Sequence, residues 1–300
     1  MFRKYALPAL LLVCAASPVA AQTPAPPPPI PKAVTADPPA DAKYPARFEV
    51  LHIPSGGVDI NGIALVPAGN GPHPAFVLFH GLPGNEKNLD LVQAVRRAGW
   101  TVVTINYRGS WGSPGNFRFA QNIEDARNTL AFIRDPANAA RLRIDPRRIA
   151  IGGHSMGGWV TLETAASEPD LLGAVTISAA DLGATGSAGK ADRARVAATM
   201  KNNMETLAGV TPDSMADEVI AHAADWSFDK ALPGLKATRL LVLYSKDGLQ
   251  QGSMDLVAKL KAGGNANVQS AYVPTDHGWS DKRITLQALV INWLEKLPKG

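Results

Sequence analysis

From residue 47 onward the apolar positions follow two patterns that take turns along the chain. AFVLFHG (75–81), TVVTINY (101–107), RRIAIGG (147–153), LLGAVTISA (171–179) and RLLVLYS (239–245) are apolar with little interruption. Short unbroken runs of this kind predict strands buried on both faces. Between them, LDLVQAVRRAG (89–99), IEDARNTLAFIRD (123–135), GWVTLETAASE (158–168) and MDLVAKLKAG (254–263) place apolar residues at helical spacing. A closing helix from Asp281 puts Leu286, Leu289, Val290, Trp293 and Leu294 on one face at three- and four-residue steps. RFEVLHI (47–53) and VDINGIALVPA (58–68), parted by Pro-Ser-Gly-Gly, predict an opening antiparallel pair, and VQSAYVP (268–274) predicts the last strand. Buried strands alternating with amphipathic helices predict an α/β chain: a mostly parallel sheet with helices on both faces. Ligands of such sheets bind beyond the carboxyl ends of the strands, so chemistry is sought just after each strand. No internal repeat is visible.

Residues 181–236 break the rhythm. The stretch is Ala-rich and helix-prone, with no strand-like run, and reads as an inserted helical lid. GSAGK at 186–190 has the flavour of a phosphate loop, but alanine stands at 184 where a glycine is needed and at 191 where Ser or Thr is needed. The methionines Met200, Met204 and Met215 are read as ordinary packing.

The first 46 residues follow neither pattern. Arg3 and Lys4 precede an 11-residue apolar run, ALPALLLVCAA, and small residues at Val19 and Ala21 mark a cut after Ala21. This is the three-part form of a secretory signal over 1–21, and the run is too short to span a bilayer. An uncleaved anchor is the plainer alternative; a lipoprotein processed at Cys14 would need a small residue where Val13 stands. Nine prolines crowd residues 22–45, so 22–46 is expected to be an extended, solvated linker, and 47–300 the body. Export implies a periplasmic or extracellular protein, with no stable membrane insertion once the signal is removed.

Composition narrows the classes further. The chain of 300 residues is 46% hydrophobic and 19% charged, with a formal charge of +4 and no basic block, which argues against a nucleic-acid partner. The single cysteine, Cys14, excludes a disulfide framework. The six histidines form neither HExxH nor paired Cys/His spacing, so no metal site and no cofactor are expected.

Gly153-His154-Ser155-Met156-Gly157 fits G-x-S-x-G between a buried strand and a helix. The glycines are needed because bulk would collide on so tight a turn, which lifts the serine hydroxyl to the helix N-terminus. A serine needs a base to take its proton. His277 in Thr-Asp-His-Gly-Trp follows the last strand and fits that role. His52 and His73 lie in or before early strands, His154 adjoins the serine and should point elsewhere, and His222 is in the insert. The acid that orients the imidazole is read as Asp247, after RLLVLYS; Asp276 is the rival and Asp181 a third candidate. The order Ser155, Asp247, His277 is nucleophile, acid, base. Oxyanion donors are read as the backbone N–H groups of Met156 and of Leu82 in HGLPG (80–84), because Pro83 has none.

HGLPG, NYRGSWGSPG, GHSMGG, the late Asp247 and DHGW together resemble the α/β-hydrolase superfamily, within it the dienelactone-hydrolase-like and prolyl-oligopeptidase-like branch. The resemblance covers about residues 47–298, the insert excepted. It implies an eight-stranded sheet, a Ser-His-Asp triad and no metal or organic cofactor. Two features depart from it. Dienelactone hydrolases proper carry a cysteine nucleophile, and the peptidase branch often sets a tyrosine where Trp111 stands here. The expectation is an exported serine hydrolase that cleaves small-molecule carboxylic esters through an acyl-enzyme. The alternatives are an aminopeptidase-like or acylaminoacyl-peptidase-like enzyme acting on short peptides, and a non-catalytic binding protein on the same fold.

Overall fold

The computed structural model of the protein describes residues 22–299; the expected signal segment, 1–21, lies outside them. The strands are β1 (Arg47–Ser55), β2 (Val58–Val66), β3 (His73–Phe79), β4 (Thr101–Ile105), β5 (Ile144–His154), β6 (Gly173–Ile177), β7 (Leu240–Ser245) and β8 (Val268–Val273). They form one eight-stranded sheet in the order β1-β2-β4-β3-β5-β6-β7-β8. β1 pairs with β2, and β2 with β4, antiparallel; every later pairing is parallel. The expected mostly parallel α/β architecture is therefore present. Gly56 and Gly57, at φ 56° and 82°, close the opening hairpin, in a two-residue turn that favours positive φ.

Around the sheet run α1 (Lys32–Thr35), α2 (Leu89–Arg97), α3 (Phe119–Arg134), α4 (Pro136–Arg141), α5 (Met156–Ala165), α6 (Leu182–Ala191), α7 (Arg193–Lys201), α8 (Pro212–Ala221), α9 (Phe228–Ala231), α10 (Gln250–Ala262) and α11 (Arg283–Leu294). The unbroken apolar strands are explained by what lies on either side of them. In β3, Ala75, Val77 and Phe79 feed the layer that holds buried residues of α3, α5 and α10. Phe76 and Leu78 feed the opposite layer with Leu91, Val92 and Val95 of α2 and Leu286, Val290 and Trp293 of α11. Successive side chains point to opposite faces, so a strand covered on both sides must be apolar throughout.

Residues 181–236 supply α6 to α9 between β6 and β7, without a strand of the sheet. GSAGK lies inside α6, where its glycines serve packing. A Cβ on Gly186 would stand 1.9 Å from the Val219 carbonyl oxygen of α8, and one on Gly189 2.6 Å from Ile220. Met200 and Met215 are buried in the core. The insert docks on the loop after β4: Trp111 N–H donates to Thr206 O (3.1 Å) and Phe117 N–H to Ala208 O (2.9 Å).

Residues 22–46 are mostly extended, as proline dictates, and none of them is buried, yet hydrogen bonds tie them to the body. Ala25 N–H donates to Tyr272 O of β8 (2.8 Å), and the Asn292 side chain of α11 donates to Pro29 O (2.8 Å). Arg97 of α2 donates to Ala33 O (2.6 Å). Pro28 and Pro29 sit beside Leu241 and Trp293. The expected linker is thus extended and solvent-facing but also tethered: carbonyls of the proline-rich segment accept from side chains of α2 and α11. Among the described residues no helix is long and apolar enough to cross a membrane.

Candidate active site

Ser155 stands between β5 and α5 with φ 56° and ψ −121°, a conformation that side chains rarely adopt. Three close approaches hold it there. A Cβ on Gly153 would meet Gly157 O at 2.0 Å, one on Gly157 would meet Phe79 O at 2.2 Å, and one on Gly81 would meet the Ser155 Cβ at 2.9 Å. The first two explain the outer glycines of G-x-S-x-G. The third shows that the loop after β3 lies directly over the serine.

His277, on the loop after β8, directs Nδ1 at Asp247 Oδ2 (2.8 Å). Asp247 follows β7 and is almost wholly buried, its side chain 1% exposed against 41% for His277. Burial alone raises the Asp247 carboxyl. Hydrogen bonds from His277 (2.8 Å), Ser245 (2.8 Å) and the Leu249 amide (3.0 Å) outweigh it and hold the carboxyl at about 2. Of the rivals, Asp276 accepts from Ser280 N–H (2.8 Å) and turns away. Asp181 caps α6 through Ala184 N–H (2.8 Å). The structure thus brings His277 to Asp247 and not to Asp276 or Asp181. Ser155 and His277 line one cleft with His154 and the loop 81–86. Among the described residues the serine and the histidine share that cleft without a hydrogen bond between them.

Met156 opens α5 and Leu82 sits on the loop above it. Neither backbone N–H donates to another group among the described residues, so both remain free to receive an anion. His80 fixes the second of them. Its Nδ1 donates to Gly81 O (2.7 Å), which orients the very peptide plane whose N–H belongs to Leu82. Burial lowers the His80 ring to about 4, so it is neutral at ordinary pH. Trp111 braces the same loop through Nε1–H to Pro83 O (2.8 Å), and Thr206 of the insert donates to that oxygen too (3.1 Å). Trp111 is therefore a loop and insert contact.

Sequence reasoning expected His154 to point elsewhere. Instead its ring packs on that of His277, with centroids 4.6 Å apart, and its Nε2 donates to His277 O (2.8 Å). Burial lowers His154 to about 4, with His277 nearby adding to the effect. Arg283 was missed altogether: it holds Gly278 O (2.8 Å) while bonding Asn88 (2.9 Å) and Asp90 (2.9 Å), which ties the His277 loop to the start of α2. No local motif signals an arginine whose partners lie nearly two hundred residues away. Among the described residues no group of three or more His, Cys, Asp or Glu is placed to hold a metal ion.

A profile of the alpha/beta hydrolase fold matches residues 74–255. Cutinase 2 of Thermobifida cellulosilytica is 30% identical over 118 residues, 39% of this chain and 44% of that protein. A cutinase of Thermobifida fusca matches at 30% over 39% of this chain and 36% of its own length. The chain thus spans less than half the length of these curated relatives. Among solved structures, an esterase of Pyrobaculum calidifontis superposes with a TM-score of 0.61 at 19% identity, over 85% of this chain and 87% of that one. The acylaminoacyl peptidase of Pyrococcus horikoshii gives 0.62 at 18% identity, over 85% and 42%. At such identities the two superpositions speak to the fold alone.

Proposed function

The chain belongs to the alpha/beta hydrolase fold family, and from that premise we propose that it is an exported serine hydrolase that cleaves carboxylic esters through an acyl-enzyme. The observation that carries the reading is the 2.8 Å bond between His277 Nδ1 and a buried, ionised Asp247, in a chain whose Ser155 lines the same cleft as that ring.

In this reading Ser155 Oγ attacks the ester carbonyl while His277 Nε2 takes its proton. Asp247 holds Nδ1 protonated, keeps Nε2 free and stabilises the imidazolium. The Met156 and Leu82 N–H groups receive the oxyanion. His277 then gives its proton to the leaving alcohol, water attacks the acyl-serine, and the sequence runs in reverse. A serine–histidine contact that is open without substrate commonly tightens on binding. Residues 181–236 act as a lid beside the cleft, a role supported by the contacts of Thr206 and Leu207 with the loops at Pro83 and Ser110. The ester reading draws support from relatives named cutinase and esterase. Residues 1–21 direct export and are removed after Ala21.

The test is Ser155→Ala on short p-nitrophenyl esters, with fluorophosphonate labelling of the parent. Loss of the nucleophile is expected to lower kcat by about 10⁴-fold or more and to abolish labelling. Turnover that survives the substitution removes Ser155 from the mechanism. A parent that neither labels nor turns over esters supports a binding protein instead. Matched aminoacyl amides in the same assay separate the peptidase reading, which requires amide turnover.

A further inference from the structure

Trp279 lies two residues beyond His277, fully buried, with φ 58°. Its Nε1–H donates to Ser178 Oγ (3.1 Å). Ser178 Oγ lies 2.7 Å from Ser245 Oγ, and Ser245 donates to Asp247 Oδ2 (2.8 Å). Ser178 and Ser245 are both buried. The two ends of this chain settle its direction. An indole nitrogen can only donate and an ionised carboxylate can only accept. Ser178 therefore receives from Trp279 and donates onward, and Ser245 receives and donates to Asp247. Every O–H and N–H dipole in the row points at the carboxylate.

Backbone strain marks the same place. Ser178, like Trp279, has positive φ (45°), so two residues held in a disfavoured conformation meet across one hydrogen bond. Strain of this kind persists only where the surroundings over-determine it. Packing explains burial of the ring but not the alignment of its N–H with a row of hydroxyls ending on Asp247. The turn carrying His277 also grips Asp247 twice, directly through His277 and by relay through Trp279.

Resting on the hydrolase reading above, we propose that Trp279, acting through Ser178 and Ser245, is a positioning residue that holds Asp247 and the His277 turn in register. It touches neither substrate nor reacting atoms. It acts by adding one oriented donor row to the carboxylate and by anchoring the far end of the turn. The low Asp247 carboxyl agrees with that arrangement.

Trp279→Phe keeps an aromatic ring and removes the N–H; Ser178→Ala breaks the row at its middle with one atom and guards against a misfolded tryptophan variant. Each is compared with the parent in the full chain for kcat and KM on a short p-nitrophenyl ester, and by proton NMR of the His277 Nδ1–H signal. Each substitution is expected to lower kcat about tenfold, the effect of one lost buried hydrogen bond, with KM within about twofold. The Nδ1–H signal is expected to broaden through faster exchange with water. The double variant is expected to lose no more than either single one, because a row broken twice is still one broken row. The proposal is overturned if both folded variants keep kcat and a sharp Nδ1–H signal, or if the two losses multiply as independent packing defects do. The NMR arm needs no turnover. An inactive, unlabelled parent would sink the hydrolase reading while the signal still decides what Trp279 does.

Discussion

Asp247→Asn tests the geometry most directly, because both carboxylate oxygens are already committed. Oδ1 accepts from the Leu249 N–H (3.0 Å), while Oδ2 accepts from His277 Nδ1 and Ser245 Oγ (each 2.8 Å). An asparagine has one oxygen and one NH₂ for these places. If its oxygen keeps Leu249, the NH₂ faces His277 Nδ1 and forces the ring into the tautomer with the proton on Nε2. That ring cannot accept the Ser155 proton. If the amide flips, its NH₂ confronts the Leu249 N–H, donor against donor. That clash at a buried amide disfavours the flip, so the first orientation prevails, and kcat should fall by about 10⁴-fold on a p-nitrophenyl ester, the effect of a wrong tautomer in a triad. Asp276→Asn should stay within about threefold of the parent, since that carboxylate serves only its own turn. The reverse ranking would refute the assignment and transfer the acid role to Asp276. Stability gives a second handle. The Asp247 carboxyl sits at about 2, below its ordinary 3.8, and a depressed carboxylate stabilises the fold above its unfolded value. That contribution, about 2 kcal/mol, should disappear as pH falls from about 4 to about 2. It should be absent from Asp247→Asn at every pH.

Two further outcomes concern the insert and its footing. Burial raises the Glu163 carboxyl of α5 to about 7; Arg127 opposes the shift while Asp181 and Asp225 add to it, and Oε1 has no hydrogen-bond partner. The folded chain keeps this proton where the unfolded chain has lost it, so stability should fall as pH rises from about 4.5 to about 7. Glu163→Gln should therefore raise Tm at pH 8 by roughly 2–4 °C and leave it nearly unchanged at pH 4.5; a Tm difference independent of pH would refute the account. Gly186→Ala places a methyl 1.9 Å from the Val219 carbonyl oxygen and must push α6 from α8. It should cost about 1–3 kcal/mol in urea unfolding, and an unchanged midpoint would show that the two helices separate freely.

Much of the fold was legible because β3 to β7 are buried largely on both faces and helices such as α2 and α10 on one, so burial itself wrote the two patterns. The features that were not legible depend on partners far away in sequence. α3 begins at Phe119 and not at Ile123 because the Glu218 carboxylate of α8 accepts from the Phe119 (3.2 Å) and Ala120 (3.0 Å) N–H groups. No residue within the helix announces that cap. α4 is a different kind of miss. The helical pattern over 123–135 stops before Pro136, yet Asp135 followed by proline is also a start signal, and Asp135 caps the Ala137 and Asn138 N–H groups at 3.0 Å. The candidate acid and base stand out in the sequence because each follows a strand. What fixes them does not, since Arg283, Ser178 and Ser245 belong to no motif and act through bonds to residues mostly far away in sequence.

Six non-glycine residues in the described chain have positive φ, and five of them, Asn88, Trp111, Ser155, Ser178 and Trp279, sit on the loops that surround the cleft or support it. Each costs about 1 kcal/mol or more relative to a relaxed backbone. Each is also held by a hydrogen bond at its own N–H. Ser155 donates to Ile177 O (2.9 Å), Ser178 to Leu243 O (2.8 Å), Trp279 to Asp276 O (3.0 Å), Trp111 to Thr206 O (3.1 Å) and Asn88 to the Glu86 carboxylate (2.5 Å). The pattern of acceptors is informative. Ser155 and Ser178 lean on carbonyls near the ends of β6 and β7, within the sheet, whereas Trp111 leans on the insert. A strained serine anchored to the sheet stays aimed whatever the insert does. Trp111, which braces the loop bearing the Leu82 N–H, takes the acceptor for its own N–H from the insert. The Ser155 end of the cleft is thus tied to the sheet, and the Leu82 end to residues 204–209, so displacement of the insert should be felt at the Leu82 loop before it is felt at Ser155.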